Sequence, residues 1–351
     1  MPTVYARAPG RVSLAGGGTD VPGFYDRFGG AVVSAAIPTF ATVSVGACAG
    51  ALDLVSLDHG SRELIPADRV ATRVRFPFLA EEFLTLQKAV AWHFALDRAR
   101  LATASDLPGG GGLGASAAVC VALVGAAAAY LGEPLDRHGI AEIAARIEMT
   151  VLRRPCGKQD QYTAAYGGLN LLEFSRDGTV RVTPIRLGRD VSRTFTSHLL
   201  LFANGGRRNS AGPLGELSRR IAAEDEATIA GLTALKANAY ETRAALELGD
   251  VERFGGLLDE GWRAKRLLHS QVTTPDIDRA LSLAKQLGAY GGKLTGAGLA
   301  GSLFVVAPPA AHADVRAALA TQGWRARTIA IEQSGVTVGG AGEDVRPGET
   351  G

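Results

Sequence analysis

Asp160 is the residue of this chain best placed by its neighbours to handle a proton. It stands in the string Cys156-Gly-Lys-Gln-Asp-Gln-Tyr162, with Lys158 two residues before it and an amide on either side. A carboxylate so placed can orient an alcohol and take its proton, which is what phosphorylation of a hydroxyl requires. Lys158 is assigned to substrate binding. Glu148, twelve residues earlier, reads as lying opposite much of the apolar stripe of the preceding helix, where it could give a metal ion a second oxygen. An N-capping Asp and a solvated Glu are the plain structural alternatives.

Glycine supplies the second kind of chemistry, because without a Cβ the main chain can approach a ligand closely. Three strings use it. The first is Arg7-Ala-Pro-Gly-Arg-Val-Ser-Leu-Ala-Gly-Gly-Gly-Thr-Asp20, the second Asp106-Leu-Pro-Gly-Gly-Gly-Gly-Leu-Gly-Ala-Ser116, and the third holds Gly296, Gly298 and Gly301. The second runs from Pro108, Gly109, Gly110, Gly111 and Gly112 through Leu113, Gly114 and Ala115 into an apolar helix. Free amides and the helix dipole there favour a phosphate. Ser116 falls in the first turn, where its hydroxyl can reach a phosphate-bound Mg²⁺, an ion that prefers oxygen ligands.

Two other readings of that loop stay open. Gly109, Gly111 and Gly114 spell a dinucleotide-type pattern, but they do not close the first strand of a βαβ unit, and the lysine of a P-loop is missing. A glycine turn that merely starts a buried helix is the other. In the first string, Arg11 sits among apolar residues and should be paired. Asp160 is the expected partner, with Arg11 stabilising charge on the transferring group. Gly17, Gly18, Thr19 and Asp20 are assigned to substrate hydroxyls, against the alternative of a surface turn.

These strings need elements to bring them together. Residues 1–50 alternate and are rich in Val, Thr and Ser, as strands are. Helices are expected over 80–95, 113–131 and 136–151, and strands over 167–174, 180–185 and 199–202. The second half reads as helices over 214–237, 238–248, 251–268, 275–287 and 311–322, with strands over 301–306 and 325–331. The chain is therefore expected to be α+β, with one domain over 1–190, a second over 191–338 and a loose tail over 339–351.

The bulk numbers narrow the partners. Among 351 residues the formal net charge is +2, too small for a nucleic-acid or membrane-surface field. Three cysteines form no disulfide framework or metal spacing, as expected of a cytoplasmic protein. No basic start followed by an apolar run marks a secretory leader. The uncharged stretch 107–132 is rich in Ala, Gly and Ser and reads as a buried helix rather than a span.

Taken in order, the three strings resemble the motifs of the GHMP kinases, over nearly the whole chain. The resemblance implies a two-domain fold, its first half like ribosomal protein S5 domain 2 and its second ferredoxin-like. It implies that Asp160 is the catalytic acid, Arg11 the arginine of the Gly-Arg-Val motif and Asp20 the hydroxyl-binding acid. Ser116 and Glu148 take the Mg²⁺ positions. The strings Ala-Gly-Gly-Gly-Thr-Asp20, Gly-Lys-Gln-Asp-Gln-Tyr162 and Gly167-Gly-Leu-Asn170 are most similar to the sugar-kinase branch. That implies ATP and Mg²⁺ as cofactors and phosphorylation of an anomeric hydroxyl, on a heptose 7-phosphate or alternatively on fucose, galactose or another small molecule. Arg208, or Lys265 with Arg266, would meet the acceptor's phosphate. Ala115, Leu299 and Ala300 depart from the family pattern and bear on the pocket's shape. No nucleic-acid or membrane partner is expected, and the oligomeric state is open, a homodimer included.

Overall fold

The computed structural model describes residues 2–75, 84–204, 211–268, 272–299 and 301–340. The N-terminal alternation folds as two long antiparallel strands, β1 (Val4–Ala15) and β2 (Gly30–Ala47), with the short helix α1 (Tyr25–Phe28) between them. Their register jumps between Pro9 and Gly10, where Pro9 faces Phe40 and Gly10 faces Ile37. Two residues of β2 are left over, so the strand bends and serves two neighbours. One end pairs with β5 (Ala99–Ser105) and the other with β6 (Leu169–Phe174). β3 (Ala51–Ser56), β4 (Ser61–Pro66) and β7 (Val180–Pro184) extend this sheet. Helix α2 (Ala67–Arg73) follows β4, and α3 (Thr85–His93) stands where a helix over 80–95 was expected, residues 76–83 lying outside the described ones.

Helix α4 (Ala115–Tyr130) is the apolar one, buried on nearly every side against β1 and β2. Its lack of charge thus reflects a position inside the molecule. Among the described residues no helix is long and apolar enough to cross a membrane. Helices α5 (Arg137–Arg146) and α6 (Gln159–Tyr166) pack beside it.

After α7 (Arg189–Ser197) comes a second, four-stranded antiparallel sheet, in the order β11 (Arg325–Arg327), β8 (Leu199–Ala203), β10 (Ser302–Val306) and β9 (Gly291–Leu294). Alternate residues serve two cores. Leu199, Leu201, Phe304 and Val306 join the large core, whereas Leu200, Phe202, Leu303 and Val305 pack against α11 (Pro275–Gln286) and α12 (His312–Thr321). A strand buried on both faces reads as a continuous apolar run, as 199–202 does.

Three expectations are corrected. The helices placed over 214–237 and 238–248 are instead α8 (Ala211–Ala222) and α9 (Glu226–Leu248). The break falls where the Asp225 carboxylate accepts from Thr228 N at 2.8 Å and caps α9. Asn238 lies inside α9 and donates to Leu257 O of α10 (Val251–Arg266) at 3.0 Å. The expected strand over 325–331 stops at Arg327. The segment beyond it returns to the first sheet, where Glu332 N donates to Ala36 O at 2.9 Å. β12 (Thr337–Gly340) then pairs with β1, so 339 and 340 are strand rather than tail. Val336 and Val338 lie over Gly125 of α4, and this contact draws the segment back. Residues 341–351 lie outside the described ones.

Candidate active site

Arg11 follows the register jump in β1, and its side chain is 7% exposed. Its Nε donates to Asp160 Oδ1 at 2.6 Å and its Nη2 to Asp160 Oδ2 at 2.5 Å. This is the planar two-point pairing that a guanidinium makes with a carboxylate. The remaining arm, Nη1, donates to Gly112 O at 2.5 Å, and Arg11 N donates to Leu113 O at 2.8 Å. One arginine thus fastens the glycine loop to the carboxylate. Asp160 lies in the first turn of α6, where a negative charge suits the helix dipole.

The loop itself alternates. Gly110, Gly112 and Gly114 have φ of 76°, 70° and 76°, and the residues between them are not left-handed. Such alternation turns main-chain N–H groups into one concavity, a form suited to anions. The third glycine string closes over it. A Cβ on Gly112 would stand 2.5 Å from Thr295 O, and one on Gly296 2.7 Å from Gly112 Cα, so neither position has room for a side chain. Ser302 Oγ donates to Gly111 O at 3.1 Å.

Ser116 begins the next part of the site. Its hydroxyl donates to Glu148 Oε1 at 2.5 Å, and Gln161 Nε2 donates to Glu148 Oε2 at 2.7 Å. Glu148 is 3% exposed, contrary to its expected place opposite the apolar stripe. The cause is local: α5 ends at Arg146 and the chain widens into a π-turn, Ile147–Val151, which rolls Glu148 inward. Hydroxyl and carboxylate oxygens are the donors that Mg²⁺ takes, so the pair fits that ion. Among the described residues no cluster of three or more His, Cys, Asp or Glu could hold a metal. An ion here would therefore share its coordination with phosphate and water.

An open cleft adjoins Asp160, lined by Arg11, Ser13, Gly17, Gly18, Asp20 and Lys265 among others. Val21, Leu214, Leu217 and Leu268 give it an apolar wall. Asp20 is 1% exposed and accepts from Gly18 N at 3.1 Å, Gln159 N at 3.1 Å and Gln159 Nε2 at 3.0 Å. Burial raises its pKa, against the lowering effect of the Gln159 and Gly18 amides. Gly157 makes that position possible, because a Cβ there would stand 1.9 Å from Asp20 Oδ2. Lys265 of α10 donates to Gly296 O at 2.6 Å. Burial, and then the Arg11 charge, lower its ammonium to about 8, with Asp20 and Asp160 pulling the other way. Burial likewise pushes the Cys156 thiol up.

Not every expected residue reaches the cleft. Lys158 does not line it: its Nζ donates to Glu142 Oε1 at 3.1 Å and Gly178 O at 2.8 Å. Lys158 is the N-cap of α6 and Asp160 lies in its first turn, and only Asp160 lines the cleft. Thr19 is buried and its hydroxyl donates to Gly16 O and Ala31 O, holding the turn rather than a ligand. Gly298 is left-handed at φ 129° and is not part of the lining, whereas Gly296 is. Arg266 pairs with Asp278 at 3.1 Å. Arg208 lies outside the described residues. Three polar residues of the site carry no sequence-assigned role, although Ser13 and Gln159 stand inside the motif strings. Ser13 Oγ and Gln159 Oε1 are buried without a hydrogen-bond partner among the described residues, and both belong to the cleft lining. Arg154 Nη1 donates to Glu148 Oε1 at 2.9 Å.

The chain matches known proteins along nearly its whole length. The GHMP kinases N terminal domain matches residues 81–168, and the GHMP kinases C terminal domain matches residues 242–325. The chain belongs to the GHMP kinases. This GHMP kinase is 28% identical to the D-glycero-alpha-D-manno-heptose 7-phosphate kinase of Campylobacter jejuni, over 96% of this chain and 98% of that protein. It is 29% identical to a galactokinase of Roseiflexus, over 86% of this chain and 82% of the relative. A solved structure titled a D-glycero-D-manno-heptose 1-phosphate kinase from Bacteroides thetaiotaomicron superposes with a TM-score of 0.77 at 26% identity, covering 96% of this chain and 98% of that one. Lactococcus lactis galactokinase, solved with galactose, shares the fold with a TM-score of 0.76 at 18% identity, covering 95% of each chain. This GHMP kinase is a sugar kinase, a phosphotransferase whose acceptor is a sugar hydroxyl.

Proposed function

We propose that the chain uses ATP and Mg²⁺ to phosphorylate the anomeric hydroxyl of a sugar, with a heptose 7-phosphate as acceptor and a 1,7-bisphosphate as product. The single observation that supports this best is the Arg11–Asp160 pair, which joins the acceptor cleft to the glycine loop through Gly112 O. In this reading the amides of residues 109–114 hold the nucleotide phosphates, with Pro108, Leu113 and Ala115 shaping the loop. Ser116 and Glu148 hold Mg²⁺, which when bound neutralises charge on the polyphosphate. Asp160 orients the sugar hydroxyl and takes its proton, and Arg11 faces the charge that develops on the transferring group. Positioning and electrostatics carry most of phosphoryl transfer.

Asp20, Gln159, Ser13 and the Gly17–Gly18 main chain would receive the sugar's hydroxyls. Lys265 would meet an anionic or hydroxyl group of the acceptor, with Arg208 as the further cation proposed for its phosphate. The Campylobacter jejuni relative, matched over nearly all of both chains, supports the heptose 7-phosphate. The galactokinase of Roseiflexus, at 29% identity, supports the second reading, an unphosphorylated sugar.

The deciding experiment offers heptose 7-phosphate, fucose, galactose and homoserine side by side with ATP. ADP release gives the rate and phosphorus NMR the position phosphorylated. Preference for the heptose phosphate with transfer to C1 is expected. Equal turnover of fucose or galactose moves the assignment to the second reading, and transfer to another carbon removes the anomeric one.

A further inference from the structure

Glu148 and Ser116 face a third group that the reaction described above does not use. Arg154 Nη1 donates to Ser116 Oγ at 2.5 Å and to Glu148 Oε1 at 2.9 Å, so the guanidinium sits on the oxygen pair that suits a metal ion. The root of this side chain is held in place. Arg154 N donates to Glu148 O at 2.9 Å, and Arg154 O accepts from Cys156 N at 2.9 Å. The tip is otherwise open. The side chain is 37% exposed, and its Nε and Nη2 make no hydrogen bond among the described residues. It lies at the start of α4, whose N-cap is Gly114 with no side chain capping the first amides. A cation at a helix N-terminus opposes the dipole. The buried Glu148 offsets that cost, and an arriving polyanion would offset it further.

We propose that Arg154 stands in for the nucleotide's metal ion: with no divalent cation bound, its guanidinium holds the Ser116–Glu148 pair and binds the nucleotide phosphates through its free nitrogens. A divalent ion on the same pair would repel a guanidinium held this close, so Arg154 gives up the position when metal is present. The protein therefore binds metal-free nucleotide, and Arg154 contributes to that binding and little to binding of the metal complex. This inference rests on the reading of residues 109–116 as a nucleotide site.

The test is calorimetric titration of the full chain with ADP, once in EDTA and once in excess Mg²⁺. A charge-assisted hydrogen bond is worth enough that Arg154→Met should weaken metal-free ADP at least about tenfold. The Mg²⁺ complex should change by less than about threefold. Equal weakening in both conditions would make Arg154 an ordinary phosphate contact and overturn the proposal, and so would no weakening in EDTA. Arg154→Lys keeps the charge but, once both oxygens are bridged, has one N–H left to offer where the guanidinium has three. It should fall between wild type and Met in EDTA and match wild type in Mg²⁺. Should Arg154→Met not fold, the Lys variant decides alone, and an EDTA affinity equal to wild type overturns the proposal. Absence of Mg²⁺–ADP binding by the unaltered protein would instead be a failure of the nucleotide reading itself.

Discussion

Arg11 and Asp160 are 149 positions apart in sequence, yet their side chains meet at two points, 2.6 and 2.5 Å. The third arm of Arg11 reaches Gly112 O of the glycine loop, so this pair decides where the carboxylate stands relative to any phosphate held there. The site is built around that contact.

Asp160→Asn keeps the shape of the side chain and removes its basicity. Turnover should fall about 10²–10⁴-fold, while calorimetric affinity for the nucleotide stays close to wild type. Turnover at the wild-type rate would remove the base assignment.

Arg11→Lys retains a charge but loses the planar fork and cannot reach Asp160 and Gly112 together. The expected result is a lower kcat with a smaller change in the nucleotide KM, read from steady-state kinetics with each substrate varied. A change confined to the nucleotide KM would contradict the placement of Arg11 beside the carboxylate.

Gly157→Ala puts a methyl group where Asp20 Oδ2 lies, 1.9 Å away. Overpacking of this kind costs about 1–3 kcal/mol, and Asp20 must move to relieve it. Thermal unfolding should shift down and the acceptor KM should rise. An unchanged melting temperature together with an unchanged KM would show that Asp20 is free of this contact.

Lys265 gives a pH dependence with a definite sign. Its ammonium, lowered to about 8, is charged below that pH and neutral above it. The charged groups around it are Arg11 of β1, Asp20, Asp160 of α6 and Lys293 of β9. If the acceptor is anionic, its KM should rise as pH passes 8, and in Lys265→Met the KM should be higher at neutral pH and flat across that range. The folding signature has its own sign. From about 8 up to the ordinary lysine value of 10.5 the unfolded chain holds the extra proton, so stability rises with pH there. Lys265→Met should lose that rise in denaturant titrations. Arg208→Ala is expected to raise the KM of a phosphorylated acceptor much more than that of ATP.

The local parts of the site were legible in order of residues alone. A glycine run feeding an apolar helix, an arginine among aliphatic residues and an acid between amides each announce a local need: an anion, a counter-charge, a proton to move. Glu148 and Lys158 show where such reading stops. An ideal helix places Glu148 outside and says nothing of a π-turn, a local change of pitch that packing imposes. Lys158 stands two residues before Asp160 in sequence, but it caps α6 and its ammonium goes to Glu142.

What the residues settled unaided was the kind of chemistry and the short motifs that hold it, because main-chain freedom at glycine and charge at Asp or Arg are properties of single positions. Tertiary structure decided which groups share the site. Ser13 and Gln159 stand inside motif strings that give them no role, Arg154 and Lys265 stand outside them, and the four meet because β1, α6, the turn before α6 and α10 converge on one cleft and one loop. That convergence depends on the bend in β2 and on a core shared by both sheets, which are contacts between distant segments that no stretch of sequence contains by itself.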